Sequence, residues 1–390
     1  VTPAARVQAA IELLDEIIRA ARDGGAAADT LIARYFRTRR YAGSADRRAI
    51  RDLAYAAIRR AGEAPASGRA AMIGLAADDP AIAALFDGSA HGSVPIDPKE
   101  PAASAGVAPA WLLELISPDD LAGLTGRAPL DIRVNRLKAD REAVLTEFPA
   151  ARLTEHAPLG IRFDEPIAVD SHPLWQDGAI EVQDEGSQLI ALACRTRPDM
   201  TVIDLCAGAG GKTLALAADM AGQGRLIACD TDRARLSRLL PRAERAGAAG
   251  IETRLLNPGR ELEDIGDLAG NADVVLIDAP CSGSGTWRRN PEARWRLTPA
   301  RLARLVATQA RLLDIGAQTL RPGGKLVYAV CSLLDDEGAN QISAFISRHP
   351  GWVAELPFDM VGQGRGPGIL LSPARDGTDG FFVARLQRPC

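Results

Sequence analysis

Residues 202–213 read Val-Ile-Asp-Leu-Cys-Ala-Gly-Ala-Gly-Gly-Lys-Thr. The apolar lead-in has the pattern of a buried parallel strand, and the glycines let a ligand approach the backbone where that strand runs out. Around it, strand-like runs at 201–205, 225–229, 251–255, 274–277 and 325–330 alternate with helical patterns at 212–220, 232–246, 299–320 and 336–348. This alternation predicts an α/β doubly wound parallel sheet, closed by a last strand in Asp-Gly-Phe-Phe-Val-Ala-Arg-Leu from 379. Ligands of such sheets bind beyond the carboxyl ends of the strands, where Gly208, Asp230, Asp278, Cys281 and Cys331 would emerge together.

Three cofactors compete for the glycine turn. A P-loop needs glycine where Cys206 stands, and a dinucleotide fingerprint needs glycine where Thr213 stands. S-adenosylmethionine fits better: its ribose hydroxyls need a carboxylate at the end of the second strand, and Asp230 is placed for that. The chain has only four lysines, at 99, 138, 212 and 325, so Lys212 in this turn is a candidate functional residue against the plainer reading of a surface lysine at a helix start.

Two cysteines follow strand-like runs, Cys281 in Leu-Ile-Asp-Ala-Pro-Cys-Ser-Gly (276–283) and Cys331 in Leu-Val-Tyr-Ala-Val-Cys-Ser-Leu (326–333). Thiolates attack electrophilic carbon, so the pair beside a cofactor turn points to covalent catalysis. Cys194 and Cys229 are assigned to the core, where free cysteine behaves as a small hydrophobe. Six cysteines without a CxxC pair fit a reducing compartment, and four scattered histidines argue against a zinc site. No apolar run nears the roughly 20 residues that span a bilayer, so the expectation is a cytoplasmic monomer with no metal and no membrane partner.

At 390 residues the chain should hold two or three domains. The pattern is helical over 1–87, turn-rich and aperiodic over 88–108, mixed over 109–195, and α/β over 196–390. These ranges are read as an all-α domain, a linker, a small α+β module and the cofactor domain. The net charge of −4 does not suggest nucleic acid, but local charge does. Nine arginines fall in 34–60 with Tyr35, Phe36 and Tyr41 among them. A second cluster (Arg288, Arg289, Arg294, Arg296, Arg301 and Arg304) includes Trp287 and Trp295. Arginines beside aromatics suit phosphates and unstacked bases; the alternatives are a solvated helix face and core packing.

Four blocks together resemble the RNA cytosine-carbon-5 methyltransferases of the RsmB/NOP2/Sun type. They are Asp-Leu-Cys-Ala-Gly-Ala-Gly-Gly-Lys-Thr, Asp-Ala-Pro-Cys-Ser-Gly-Ser-Gly, Tyr-Ala-Val-Cys-Ser-Leu, and the upstream Val-Gln-Asp-Glu-Gly-Ser-Gln-Leu (182–189). The resemblance spans about 130–388, and the arginine-rich front resembles the NusB-like RNA-binding domain of the bacterial ribosomal RNA members. It implies a Rossmann-like class I methyltransferase fold, S-adenosylmethionine as cofactor, and cytosine in RNA, 16S ribosomal RNA first, as substrate. Transfer RNA and 23S ribosomal RNA are the other targets. By the resemblance Cys331 is the nucleophile at carbon 6, Cys281 assists release, and Asp278 hydrogen-bonds the base. Cys206, Ala207, Gly208, Ala209, Gly210, Gly211, Lys212, Asp230, Arg235, Asn257 and Asp278 line the cofactor. Two positions depart from the family pattern: Ala209 replaces a proline, and Asn257 replaces an acid after the third strand. Residue types alone leave the order of the cysteines open. They also leave open an amino-group methyltransferase needing no cysteine, and an RNA-binding assembly factor without turnover.

Overall fold

The computed structural model describes residues 1–40 and 42–390, so Tyr41 of the first arginine cluster lies outside the described residues. Contacts divide the chain into two compact units, Val1–Arg127 with Ser282–Arg301, and Ala128–Cys281 with Leu302–Cys390.

The first unit is helical. Helix Pro3–Asp23 is capped by the Thr2 hydroxyl and buries Val7, Ala10, Ile11, Leu14, Ile17, Ile18 and Ala21 at helical spacing. It packs with helices Ala28–Thr38, Ser44–Arg60 and Gly68–Asp78 around one apolar core. The turn-rich stretch 88–108 is not a free tether. Its amides donate to helix carbonyls, Ala103 N to Ala70 O and Gly106 N to Arg60 O, both 2.9 Å. Arg69 pairs with Glu100 at 2.5 Å. The division between units therefore falls at Arg127/Ala128 instead of within 88–108.

Ser282–Arg301 also belongs to this unit, whereas the sequence reading kept it in the cofactor domain. Trp287 is 0% and Trp295 is 7% exposed, and Trp295 Nε1 donates to Ala61 O at 2.9 Å. Arg294 is buried and donates to Val107 O and Ile58 O at 2.6 Å and to Arg59 O at 2.9 Å. The expectation that the tryptophans hold bases is corrected: both indoles are core side chains. Arg294 serves backbone carbonyls, and Arg296 does the same at Gly25 and Ala26. In the first cluster Tyr35 and Phe36 are likewise buried, while Arg34, Arg37, Arg40, Arg47, Arg48 and Arg51 are exposed.

The second unit opens with a four-stranded antiparallel sheet of β1 (Leu130–Val134), β2 (Arg152–Leu153), β3 (Gly160–Phe163) and β4 (Ile180–Val182), in the order β2-β3-β1-β4. The main sheet follows with β5 (Thr201–Asp204), β6 (Arg225–Asp230), β7 (Ile251–Leu255), β8 (Ala272–Asp278) and β9 (Leu320–Val330). It is completed by β10 (Val353–Glu355), β11 (Gln363–Arg365), β12 (Gly368–Leu371) and β13 (Phe381–Gln387). The order is β11-β12-β13-β9-β8-β5-β6-β7, with β10 also on β13. Pairs β7-β6, β6-β5, β5-β8 and β8-β9 are parallel, and β13 closes antiparallel to β9. This is the doubly wound, Rossmann-like sheet expected from the sequence. The chain winds outward through β5, β6 and β7, then returns to β8, so the order reverses between β5 and β8.

The helix expected over 232–246 is two, Arg233–Leu236 and Leu239–Ala246. Pro241 explains the break, because it has no N–H for the carbonyl four residues back and is tolerated only in a first turn. The helix expected from 336 begins at Ala339, and the residues before it form a turn that carries Glu337.

Candidate active site

The site is built at the reversal point. Asp204 ends β5, and the chain turns through Gly208 (φ +56°) and Gly210 (φ +89°) into helix Gly211–Asp219. These left-handed angles are open to glycine and strained for other residues. Ala207 N donates to Cys229 O at 2.8 Å, and Gly208 N donates to Asp230 Oδ2 at 2.7 Å, which ties the turn to the end of β6. Arg235 crosses the turn: a Cβ at 208 would stand 2.5 Å from its Nη2. From the other side Arg242 donates to Ala209 O at 2.6 Å and to Glu181 at 2.8 Å. Arg242 was not foreseen, having no local motif; it reads only as one more helical arginine.

Asp278 ends β8, and its Oδ2 takes a hydrogen bond from Lys212 Nζ at 2.6 Å. Burial works against the Lys212 charge, but Asp278, with Cys331 and Asp204 nearby, more than offsets it and raises the lysine pKa. Lys212 is thus an ammonium held against Asp278. Cys331 follows the last residue of β9, Cys281 follows β8 by three, and their sulfurs are 3.3 Å apart. Both are partly exposed. Cys194 and Cys229 are fully buried, and burial pushes the Cys229 thiol up to about 12. Burial also holds the Cys206 thiol well above its ordinary value, so it stays protonated at neutral pH.

Asn257 lies after β7 and is exposed, but its Nδ2 donates to Asp264 Oδ1 at 3.1 Å and its backbone N–H to Oδ2 at 2.6 Å. One of its two amide hydrogens is therefore committed locally, and the other, with the carbonyl oxygen, remains to face a ligand.

Block 182–189 is structural. Gln183 joins Arg133 at 2.6 Å to Ser187 at 3.3 Å, and Asp184 caps helix Glu185–Ala193 through Gly186 N at 2.8 Å. Buried Glu185 accepts from Ala157 N at 2.9 Å and from Arg162 at 3.3 Å. These residues tie helix Glu185–Ala193 to the small sheet.

Residues 191–387 match the sequence model of the 16S rRNA methyltransferase RsmB/F family. The ribosomal RNA small subunit methyltransferase B of Xylella fastidiosa is 38% identical over 296 residues, covering 71% of this chain and 68% of that protein. The chain belongs to the 16S rRNA methyltransferase RsmB/F family. A probable ribosomal RNA small subunit methyltransferase B of Synechocystis is 34% identical over 302 residues, covering 72% of this chain and 66% of that protein. The matched region thus spans about two thirds of these relatives' lengths. The crystal structure of PH0851 superposes with a TM-score of 0.80 at 24% identity and covers 100% of both chains. A methyltransferase homologue from Pyrococcus horikoshii gives 0.61 at 26%, covering 69% of this chain and 90% of that one.

RsmB/F membership supports S-adenosylmethionine as the cofactor, and the residues fit it. A Cβ at Gly211 would meet nothing within 4 Å, so the turn presents open backbone. Asp230 accepts from Gly208 N and from Asp232 N, each at 2.7 Å, and a carboxylate with about four lone-pair sites keeps capacity for two hydroxyls. Asp204 accepts from Thr213 at 2.7 Å through Oδ2, but its Oδ1 is buried without a partner. Burial raises the Asp204 pKa to about 7, and a ligand N–H would satisfy the orphan oxygen. Asp204 went unremarked in the sequence because strand-end acids are common.

Asp230→Ala should weaken S-adenosylmethionine binding about 10- to 100-fold, the loss of charge-assisted bonds to the ribose, with helix content unchanged. Isothermal titration with the cofactor and with S-adenosylhomocysteine checks this.

Proposed function

We propose that this chain transfers a methyl group to carbon 5 of a cytosine in 16S ribosomal RNA through a covalent bond between Cys331 and carbon 6. The observation that carries the reading is the pair of sulfurs 3.3 Å apart at the ends of β8 and β9, beside the Lys212–Asp278 pair.

S-adenosylmethionine, when bound, supplies an electrophilic methyl on a sulfonium. Carbon 5 of cytosine is too weak a nucleophile for it unaided. Addition of the Cys331 thiolate at carbon 6 turns the ring into an enamine, and electron density moves to carbon 5. The polar edge of the base must be held while this happens. Lys212 and Asp278 offer what that edge requires, a donor for nitrogen 3 and an acceptor for the 4-amino group. After carbon 5 takes the methyl, its proton leaves, the C–H electrons re-form the 5,6 double bond, and the carbon–sulfur bond to Cys331 breaks. Cys281 is the group within reach for this release step.

To offer the face of carbon 6 to a thiolate the base must leave its stack, which favours a loop or junction in RNA. The exposed arginines at 34, 37, 40, 47, 48 and 51 give the helical unit a cationic face for the phosphate backbone.

The test uses the full chain, S-adenosylmethionine and a 16S ribosomal RNA transcript tritiated at carbon 5 of cytosine. One tritium should be released to water per methyl transferred, and bisulfite sequencing should locate one protected cytosine. Methyl transfer with retention of the tritium would instead mark an exocyclic amino group as acceptor.

A further inference from the structure

Both cysteine turns are tied to one buried polar bridge. Gln309, on helix Pro299–Thr319, is 0% exposed, and its Nε2 donates to Pro280 O at 2.9 Å and to Glu337 Oε1 at 3.0 Å. Glu337 is also 0% exposed, and its Oε2 accepts from Ser332 Oγ at 2.6 Å. Its backbone carbonyl accepts from the Tyr328 hydroxyl at 2.7 Å, and the Ser332 hydroxyl accepts from Leu334 N at 3.1 Å. Pro280 precedes Cys281, and Ser332 follows Cys331. A continuous path therefore runs from one cysteine turn to the other through the side chains of Gln309 and Glu337.

The bridge is costly as packing. Gln309 Oε1 is buried with no hydrogen-bond partner, and Glu337 is an acid held wholly inside the protein. Leucine or methionine at 309 would fill similar space without an orphan acceptor. What the glutamine alone provides is two N–H bonds diverging from one nitrogen, which fix Pro280 O relative to Glu337 and so the β8 turn relative to the β9 turn.

We propose that Gln309 and Glu337 are positioning residues that set the spacing between Cys281 and Cys331. The kinetic part of this inference rests on the two-cysteine reaction above. The geometric part does not, because sulfur spacing can be read without substrate or cofactor. Two thiols 3.3 Å apart need only a small approach to reach the roughly 2.05 Å of a disulfide. Diamide can close them: each thiol loses a proton, the pair loses two electrons, the S–S bond forms, and diamide is reduced to the hydrazine.

The experiment compares the full chain with Gln309→Met and Glu337→Gln. Methionine keeps the volume and removes both bonds. Glutamine at 337 keeps an acceptor for Ser332 but turns a donor toward Gln309. Peptide mapping follows formation of the 281–331 disulfide at fixed diamide, and iodoacetamide labelling of Cys331 reports its own accessibility. The bridge predicts disulfide closure slowed about tenfold in Gln309→Met, and by less in Glu337→Gln, with the labelling rate nearly unchanged. In the methyl-transfer assay kcat should fall by up to about 100-fold, the scale of a small misplacement of reacting groups, with KM for S-adenosylmethionine unchanged. Disulfide closure at the wild-type rate in both variants overturns the inference, whatever the activity. Slowed closure together with tritium retention in wild type upholds the bridge and removes only the carbon-5 reading. If Gln309→Met fails to fold, Glu337→Gln alone decides by the same closure rate.

Discussion

Cys331→Ala should reduce methyl transfer to background, a loss of about 10⁴-fold or more, the order found when a covalent nucleophile is removed. Cys281→Ala should instead leave a protein–RNA adduct that survives denaturing electrophoresis. The difference follows from where each sulfur acts. Without Cys331 nothing adds to carbon 6, and carbon 5 stays unreactive. Without Cys281 addition proceeds, but the proton at carbon 5 has lost its nearby acceptor and the bond to Cys331 does not break. A reversed outcome, with the adduct trapped in Cys331→Ala, would exchange their roles and keep the covalent route. Full activity in Cys331→Ala would end that route and leave an amino-group transfer held by Asp278. The double variant should neither methylate nor form an adduct.

The cofactor unit was legible in the sequence because its signals are local. Glycines at 208 and 210 must occupy left-handed angles, a strand buried on both faces reads as an apolar run, and Asp230 follows directly from its strand. Thus β7 matches its expected range, and β5, β6 and β8 differ from theirs only at the ends. What failed to show was long-range. Trp287, Arg294 and Trp295 sit directly after the Pro-Cys motif, so proximity in sequence suggested a role at the site. The actual partners of Arg294 and Trp295 are carbonyls more than 170 residues upstream, at Ile58, Arg59, Ala61 and Val107, Trp287 is wholly buried, and no periodicity reports such placement. A buried arginine and a base-binding arginine are the same letter. Gln309 and Glu337 were missed for the same reason: each is an ordinary polar residue until the sheet brings Pro280 and Ser332 to it.

Arg294→Leu should destabilise the helical unit by about 2–6 kcal/mol, at about 1–3 kcal/mol for each buried carbonyl left without a donor. Arg294 is 2% exposed, and burial, with Arg59 nearby, lowers its pKa to about 10, so it remains charged at neutral pH. It offsets that desolvation by donating to Ile58 O, Arg59 O and Val107 O. Ile58 and Arg59 lie in the last turn of helix Ser44–Arg60, where carbonyls lack intrahelical donors and the dipole favours a cation. Leucine fills part of the space but takes the arginine donor from Arg59 O and Val107 O and leaves Ile58 O only the Ala61 N–H. Trp295 bonds Ala61 O just beyond the same helix end and should loosen with it. Chemical denaturation of the full chain should show an earlier transition, and hydrogen exchange should localise it to 44–61 and 285–301. The cofactor unit should retain its S-adenosylmethionine affinity, while binding to the RNA transcript weakens as the helix carrying Arg47, Arg48 and Arg51 frays. Exposed Arg48→Ala is the control, with weaker RNA binding and unchanged stability. A stability loss in Arg294→Leu no larger than in Arg48→Ala would mean that its three carbonyls find water instead, and that the 282–301 segment is held by its tryptophans alone.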